Sequence, residues 1–167
     1  MARLVLLSGF LGAGKTTTML SAARVLGARG DRVSVVTNDQ AQGLVDSALA
    51  RRVLPLVDEV PGGCFCCRFE DLEAVIRRLV SDHGADTVLA EAVGSCTDMQ
   101  ATVVRPLRRF YERDLQVAPL TTVVDPARFS ALVDDQGDLG YLFRLQLADA
   151  DVIAVNKTDC SPPDVLD

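Results

Sequence analysis

Short apolar runs and helical stretches alternate along the chain. "RLVLLS" (3–8), "RVSVVT" (32–37), "VLPLV" (53–57), "DTVLAE" (86–91), "LTTVVD" (120–125) and "DVIAVN" (151–156) each hold a near-continuous block of aliphatic side chains. Blocks of that length suit strands covered on both faces, as in a parallel sheet. Between them the period changes. In "FEDLEAVIRRLVSDHG", Leu72, Val75, Ile76, Leu79 and Val80 follow the i, i+3, i+4, i+7, i+8 spacing of one helical stripe. Strand–helix alternation predicts an α/β fold: a doubly wound, mostly parallel sheet with helices on both faces. No internal repeat, low-complexity tract or linker interrupts it, and "CSPPDVLD" at the end reads as a loop or frayed end.

The first block runs into "GFLGAGKT", which fits G-x-x-x-x-G-K-[ST] with Gly9, Gly14, Lys15 and Thr16. A strand before it and a helix after it supply the context that makes this a phosphate loop of the P-loop NTPase type. Gly9, Gly12 and Gly14 let the backbone curl so that its N–H groups, Ala13 included, converge on phosphate oxygens at a helix N-terminus. Lys15 then neutralises the β- and γ-phosphates, the Thr16 hydroxyl ligates Mg²⁺, and Thr17 adds a further phosphate contact. The strand ending in Glu91 supplies the second carboxylate, to hold Mg²⁺ through water or to orient the attacking water; Gly94 offers its N–H to the γ-phosphate.

The last apolar block ends in Asn156-Lys157-x-Asp159. A carboxylate accepts both N1–H and N2–H₂ of guanine, whereas adenine offers neither donor, so Asp159 selects GTP and GDP over ATP. Lys157 covers the base with its stem. Lys15 and Glu91 are the expected catalytic pair. Gly9, Gly12, Ala13, Gly14, Lys15, Thr16, Thr17, Gly94, Asn156, Lys157 and Asp159 are the expected nucleotide contacts.

"GGCFCC" crowds Cys64, Cys66 and Cys67 into four positions, just before the helix beginning near Phe69. In an extended segment Cys64 and Cys66 point the same way and Cys67 turns in at the helix start. Three thiolates suit soft or borderline ions such as Zn²⁺ or Cu⁺, and Co²⁺ is tolerated. Water, Asp39, Glu59 or a group from another molecule fills a fourth position. Such an open position suits an ion that must be handed on. A redox pair and buried structural thiols are the competing readings. Phe65 is expected to anchor the loop in apolar surface. Cys96 reads as small-residue packing in preference to a metal contact, Cys160 as a loop thiol packing near the base, and His83 as a partner for a helix C-terminus.

In this order, "GFLGAGKTT", "TNDQAQGLVD", "GGCFCC", "EAVGSCTD" and "ADADVIAVNKTD" resemble the CobW-like metallochaperone GTPases, relatives of the HypB and UreG nickel-insertion GTPases. The resemblance spans nearly the whole chain. It implies GTP hydrolysis coupled to handling Zn²⁺, Co²⁺ or a similar ion, a client metalloprotein or cofactor-synthesis enzyme, and a nucleotide-dependent homodimer. The chain departs from the family at the first switch, where N-E-x-G-E is replaced by Asn38-Asp39-Gln40-Ala41-Gln42. Asp39 is shorter than Glu, and Gln42 has lost a charge. The chain also ends eight residues after Asp159, so 1–167 reads as a GTPase core cut short after N-K-x-D, with no C-terminal domain, or as one whose remainder lies elsewhere.

Composition narrows the field. A net charge of −6 without a basic stripe argues against a nucleic-acid partner. No apolar stretch reaches the ~18 residues of a membrane span, and no cleavage site follows "MARLVLLSGF". Five cysteines, three of them crowded, make a poor disulfide framework, and the expected compartment is the cytoplasm. Two other functions remain: a small-molecule kinase on the same fold, or a non-catalytic metal or redox module with a vestigial nucleotide site.

Overall fold

The computed structural model describes residues 1–39 and 56–161, with Asp39 described by its backbone alone. The elements in chain order are β1 (Ala2–Ser8), α1 (Lys15–Ala28), β2 (Val33–Asp39), β3 (Val57–Pro61), α2 (Phe69–Ser81) and β4 (Thr87–Glu91). A π-helical turn (Gln100–Val104) then leads into α3 (Arg105–Phe110), followed by β5 (Leu115–Val117), β6 (Thr121–Val124), α4 (Pro126–Asp134), α5 (Asp138–Asp149) and β7 (Val152–Val155). The sheet runs β3-β2-β4-β1-β6-β7, with β5 paired to the start of β1. Every pairing is parallel.

Side chains one apart on a strand face opposite ways, and the core divides accordingly. Leu4, Leu6, Val36, Val88 and Ala90 pack with Leu72, Val75, Ile76 and Leu79 of α2 and with Leu107 of α3. Leu7, Val35, Leu89 and Val123 pack on the other face against Met19, Leu20 and Ala23 of α1. Helices therefore cover both faces, as a doubly wound P-loop fold requires. The apolar stripe of α2 is buried as its period predicts, apart from Val80, which is half-buried. Glu70 and Asp71 in its first turn and Arg78 in its last complement the helix dipole.

The register levels three strand ends. Leu7 and Thr37 both lie beside Glu91. Thus the loops leaving β1, β2 and β4 open side by side at the carboxyl edge, where open α/β sheets bind their ligands.

Three expectations need correction. The third strand is Val57–Pro61, four residues later than the apolar block "VLPLV"; residues 53–55 of that block lie outside the described residues. Among the described residues it is an edge strand, which accounts for its Asp58, Glu59 and terminal Pro61. At the opposite edge of the described sheet, β7 is not buried on both faces: Val152, Ile153 and Val155 are 45%, 50% and 52% exposed. The three-residue β5 was not foreseen. Among the described residues no helix is long and apolar enough to cross a membrane.

Candidate functional site

The loop between β1 and α1 closes around its own carbonyls. Gly9, Gly12 and Gly14 all hold positive φ. Ala13 N donates to Phe10 O at 3.1 Å. At Gly14 the conformation is enforced twice: φ is 94°, and a Cβ would stand 2.2 Å from Nδ2 of Asn156. Lys15, 6% exposed, lays its ammonium across the loop, 3.3 Å from Phe10 O. The first turn of α1 carries no acidic residue, so its positive end stays available to an anion. Thr17 is exposed on that turn.

Thr16 Oγ1 donates to Glu91 Oε1 at 2.9 Å, joining the start of α1 to the end of β4. The pair suits Mg²⁺: a hydroxyl and a carboxylate are hard oxygen donors, already in contact, beside a buried lysine. A cavity of 380 Å³ opens here, lined by Phe10, Lys15, Asn38, Glu91 and Gly94 among others. Gly94 packs onto the phosphate loop so closely that a Cβ would lie 2.8 Å from Leu11 N.

The N-K-x-D segment docks on the same loop from β7. Asn156 Nδ2 donates to Ala13 O at 2.9 Å. Lys157, in the left-handed region at φ 56°, donates to Gly12 O at 2.7 Å and to Asp125 Oδ2 at 2.9 Å. The Lys157 hydrogen bond holds the Asp125 carboxyl below its usual range, against the opposing effect of burial. Asp159 stands exposed in the next turn, beside the Cys160 thiol. Cys160 is itself exposed on this loop.

The cysteines converge through a turn, not through an extended segment as the alternation argument had it. Cys67 N and Arg68 N both donate to Cys64 O, at 3.0 and 2.9 Å, so the chain from Cys64 already curls into α2. Phe65 is fully buried in the core cluster against which Cys64 and Cys66 pack. Cys64 Sγ lies 2.7 Å from Cys66 Sγ and 3.1 Å from Cys67 Sγ. All three sulfurs fall within 4.8 Å of one another, and all are free thiols. Burial pushes the Cys64 thiol up, but hydrogen bonds from the Cys66 and Cys67 thiols and from the Cys67 N–H outweigh it and bring it to about 7. Cys66 is pushed up to about 12, by burial and then by its hydrogen bond and charge interaction with Cys64. Cys67 is raised by its hydrogen bond to Cys64. Three soft donors at this spacing fit Zn²⁺ or Co²⁺.

Glu59 lies outside this group, and the Asp39 side chain lies outside the described residues, as do Gln40, Ala41 and Gln42. His83 is exposed just beyond α2, its N–H on Arg78 O at 3.3 Å. Arg77 and Arg78 of α2 are exposed and bound to Glu73 and Asp58.

Four residues gained a place that sequence reasoning had not given them. Asn38, at the end of β2, donates from Nδ2 to Val60 O at 2.9 Å and to Gly63 O at 2.6 Å. It ties the first switch strand to the glycines that open the cysteine turn. Gln146 of α5, 2% exposed, donates to Gly94 O at 2.9 Å and Cys96 O at 3.0 Å. Arg128 donates to Leu11 O at 2.7 Å, its guanidinium 5.4 Å from the Phe10 ring centre. Asp125 accepts from Ala127 N at 3.1 Å and so caps α4 while it holds Lys157. The Asp125-Pro126 pair is a readable helix start. Gln146 stands three residues after the buried Phe143, a polar residue on a core-facing helix position.

Comparison with known proteins agrees with this geometry. "Zinc chaperone YeiR" of Escherichia coli strain K12 is 30% identical over 169 residues, covering 98% of this chain and 49% of that protein. "Zinc-regulated GTPase metalloprotein activator 1" of Schizosaccharomyces pombe is 25% identical over 169 residues, covering 96% of this chain and 40% of that protein. The chain therefore spans about half the length, or less, of these curated relatives. In fold it matches the Zn(II)-bound YjiA GTPase of E. coli at a TM-score of 0.60 and 15% identity, over 97% of this chain and 51% of that one. Residues 3–166 match the family described as CobW/HypB/UreG, nucleotide-binding domain, and the chain belongs to that family.

Proposed function

We propose that this chain binds and hydrolyses GTP, and that hydrolysis drives the binding and delivery of a transition metal ion, zinc or cobalt, held by Cys64, Cys66 and Cys67. The observation that carries the reading is the convergence of three free thiols within 4.8 Å on a turn tied to β2 by Asn38, itself a lining residue of the phosphate-loop cavity. Relatives whose names specify zinc chaperone and zinc-regulated GTPase activator support the choice of ion.

Each side chain has a task in this scheme. Lys15 leaves Phe10 O for the β- and γ-phosphates, exchanging a neutral acceptor for a charged one. Backbone N–H groups from Gly9 to Thr17 cradle the remaining oxygens. Thr16 and Glu91 are the residues that would hold Mg²⁺, which would supply charge neutralisation at the phosphates when bound. Glu91 also orients the attacking water, and Gly94 contacts the γ-phosphate. Asn156 and Lys157 brace the loop from behind, which leaves Asp159 to read the guanine edge. GTP orders the switches and sets the cysteine turn for the ion; hydrolysis relaxes it. The partners that follow are a client metalloprotein or cofactor-synthesis enzyme and a second copy of the chain in a nucleotide-dependent dimer, in the cytoplasm.

The test is stoichiometric. The reduced protein should take one Zn²⁺ per chain in competition with a chromophoric chelator, and Cys66→Ser should lose that site. Phosphate release from GTP should be slow, and slower by about 100-fold in Glu91→Gln. A Cys66→Ser protein that holds Zn²⁺ as the parent does would refute the thiol site.

A further inference from the structure

The phosphate loop is held from outside by three side chains, and one of them belongs to no nucleotide motif. In a trans peptide unit the C=O and the following N–H point opposite ways. Asn156, Lys157 and Arg128 bind the carbonyls of Ala13, Gly12 and Leu11 at 2.9, 2.7 and 2.7 Å. The N–H groups of Gly14, Ala13 and Gly12 are thereby turned toward the other side of the loop. The Ala13 N–H closes the turn onto Phe10 O. Among the described residues the N–H groups of Gly12 and Gly14 donate to no backbone carbonyl. These two are left for an anion, and the peptide units that carry them are the ones held by Arg128 and Asn156.

The surroundings of Arg128 keep it at this post. It lies in the first turn of α4, which Asp125 caps while Asp125 is itself held by Lys157. Its guanidinium rests 5.4 Å from the Phe10 ring centre. Nη1 would stand 3.4 Å from a Cβ at Gly12, whose φ is 79°. Among the described residues no carboxylate forms a salt bridge with it. The side chain is exposed, so its bond is to the loop and not to the core.

We propose that Arg128 is a positioning residue for phosphate binding, which holds the Leu11–Gly12 peptide so that the Gly12 N–H meets a phosphate oxygen of the bound nucleotide. This rests on the reading of the loop as a guanine-nucleotide site and adds a residue to it. Leu11 N abuts Gly94 on one side and Leu11 O meets Arg128 on the other, so the arginine fixes the end of the loop nearest Gly94. Once the donor is removed, the Leu11–Gly12 peptide can rotate and present its carbonyl oxygen to an anion in place of its N–H. A charge-assisted bond resists that rotation better than a neutral one.

The test watches two amides. Proton–nitrogen spectra of the ¹⁵N-labelled protein are recorded with and without GDP for the parent, Arg128→Met and Arg128→Lys, and calorimetry gives the GDP affinity of each. An amide proton that hydrogen-bonds a phosphate moves downfield. In the parent both Gly12 and Gly14 should move. In Arg128→Met the Gly12 shift should be lost while Gly14, held by Asn156, moves as before, and affinity should fall about 10-fold. Arg128→Lys keeps a cationic donor and should restore the Gly12 shift. Thermal unfolding of the nucleotide-free proteins should agree, because the side chain is exposed. A Gly12 amide that moves downfield in Arg128→Met as it does in the parent overturns the proposal, whatever the affinity does. A parent protein in which GDP moves neither amide overturns the nucleotide reading beneath it as well.

Discussion

The phosphate corner and the cysteine turn share the carboxyl edge of one sheet but are built on opposite plans. In the phosphate corner almost every side chain is anchored to another element. Asn156, Lys157 and Arg128 bind three successive carbonyls, of Ala13, Gly12 and Leu11, while Thr16 holds Glu91. An added Cβ at Gly14 or Gly94 would collide with a neighbour. Among the described residues the cysteine turn has two local backbone bonds, one buried ring and one tether, Asn38. Its thiols hydrogen-bond one another. The contrast fits what the proposed function asks of each region. A site that performs the same chemistry at every turnover gains from being fixed in advance. A site that must release its cargo gains from a geometry that depends on one adjustable link.

The largest expected effect comes from breaking the rigid side. Lys15→Ala removes the buried ammonium that meets two phosphates, and two or three charge-assisted hydrogen bonds go with it, a loss on the order of 1,000-fold in GTP affinity by calorimetry. Metal binding to the nucleotide-free protein should hardly change. If zinc affinity fell in parallel without nucleotide, the two regions would not be separable in the way described.

Asn38→Ala attacks the tether. It leaves the carbonyls of Val60 and Gly63 without this donor, at a cost of about 1–3 kcal/mol in urea unfolding. The cysteine turn loses its link to β2, so the dependence of zinc affinity on nucleotide should collapse while the thiols themselves remain. Zinc affinity that still tracks the nucleotide in Asn38→Ala would take the coupling away from this tether.

The smallest effect serves as a control at the opposite, amino edge of the sheet. Arg32 hydrogen-bonds Asp86 through its side chain and its backbone N–H and holds that carboxyl at about 2. A carboxyl depressed in the folded state stabilises the protein above its ordinary pKa, and the contribution fades as pH falls through the folded value. Asp86→Asn should therefore flatten the stability profile between about pH 4 and pH 2. The pair is exposed and screened, so the change is small, and metal and nucleotide binding at neutral pH should not move.

Much of this architecture is legible in the chain because it follows from local chemistry. Continuous aliphatic runs announce buried parallel strands, and the phosphate loop needs its glycines, lysine and threonine in one order. The cysteine cluster is adjacent in sequence, so its convergence needs only a turn, although alternation gave the wrong kind of backbone for it. The misreadings are tertiary. β3 is polar because an edge strand is held by its backbone pairing to β2, not by its side chains. β7 reads as buried because an aliphatic run does not say what covers it. Asn38, Arg128 and Gln146 act through carbonyls 22 to 117 residues away in sequence, and no short window contains such a bond.

The central claim is that nucleotide state sets metal affinity through this one edge of the sheet. The direct measurement is a Co²⁺ titration of the reduced protein in three forms: nucleotide-free, with GDP, and with a non-hydrolysable GTP analogue and Mg²⁺. The account predicts tighter binding in the analogue form than with GDP, and an equal factor by which Co²⁺ tightens the analogue, since linkage is reciprocal. Three superimposable isotherms would contradict it, leaving a GTPase fold and a metal site with no coupling between them.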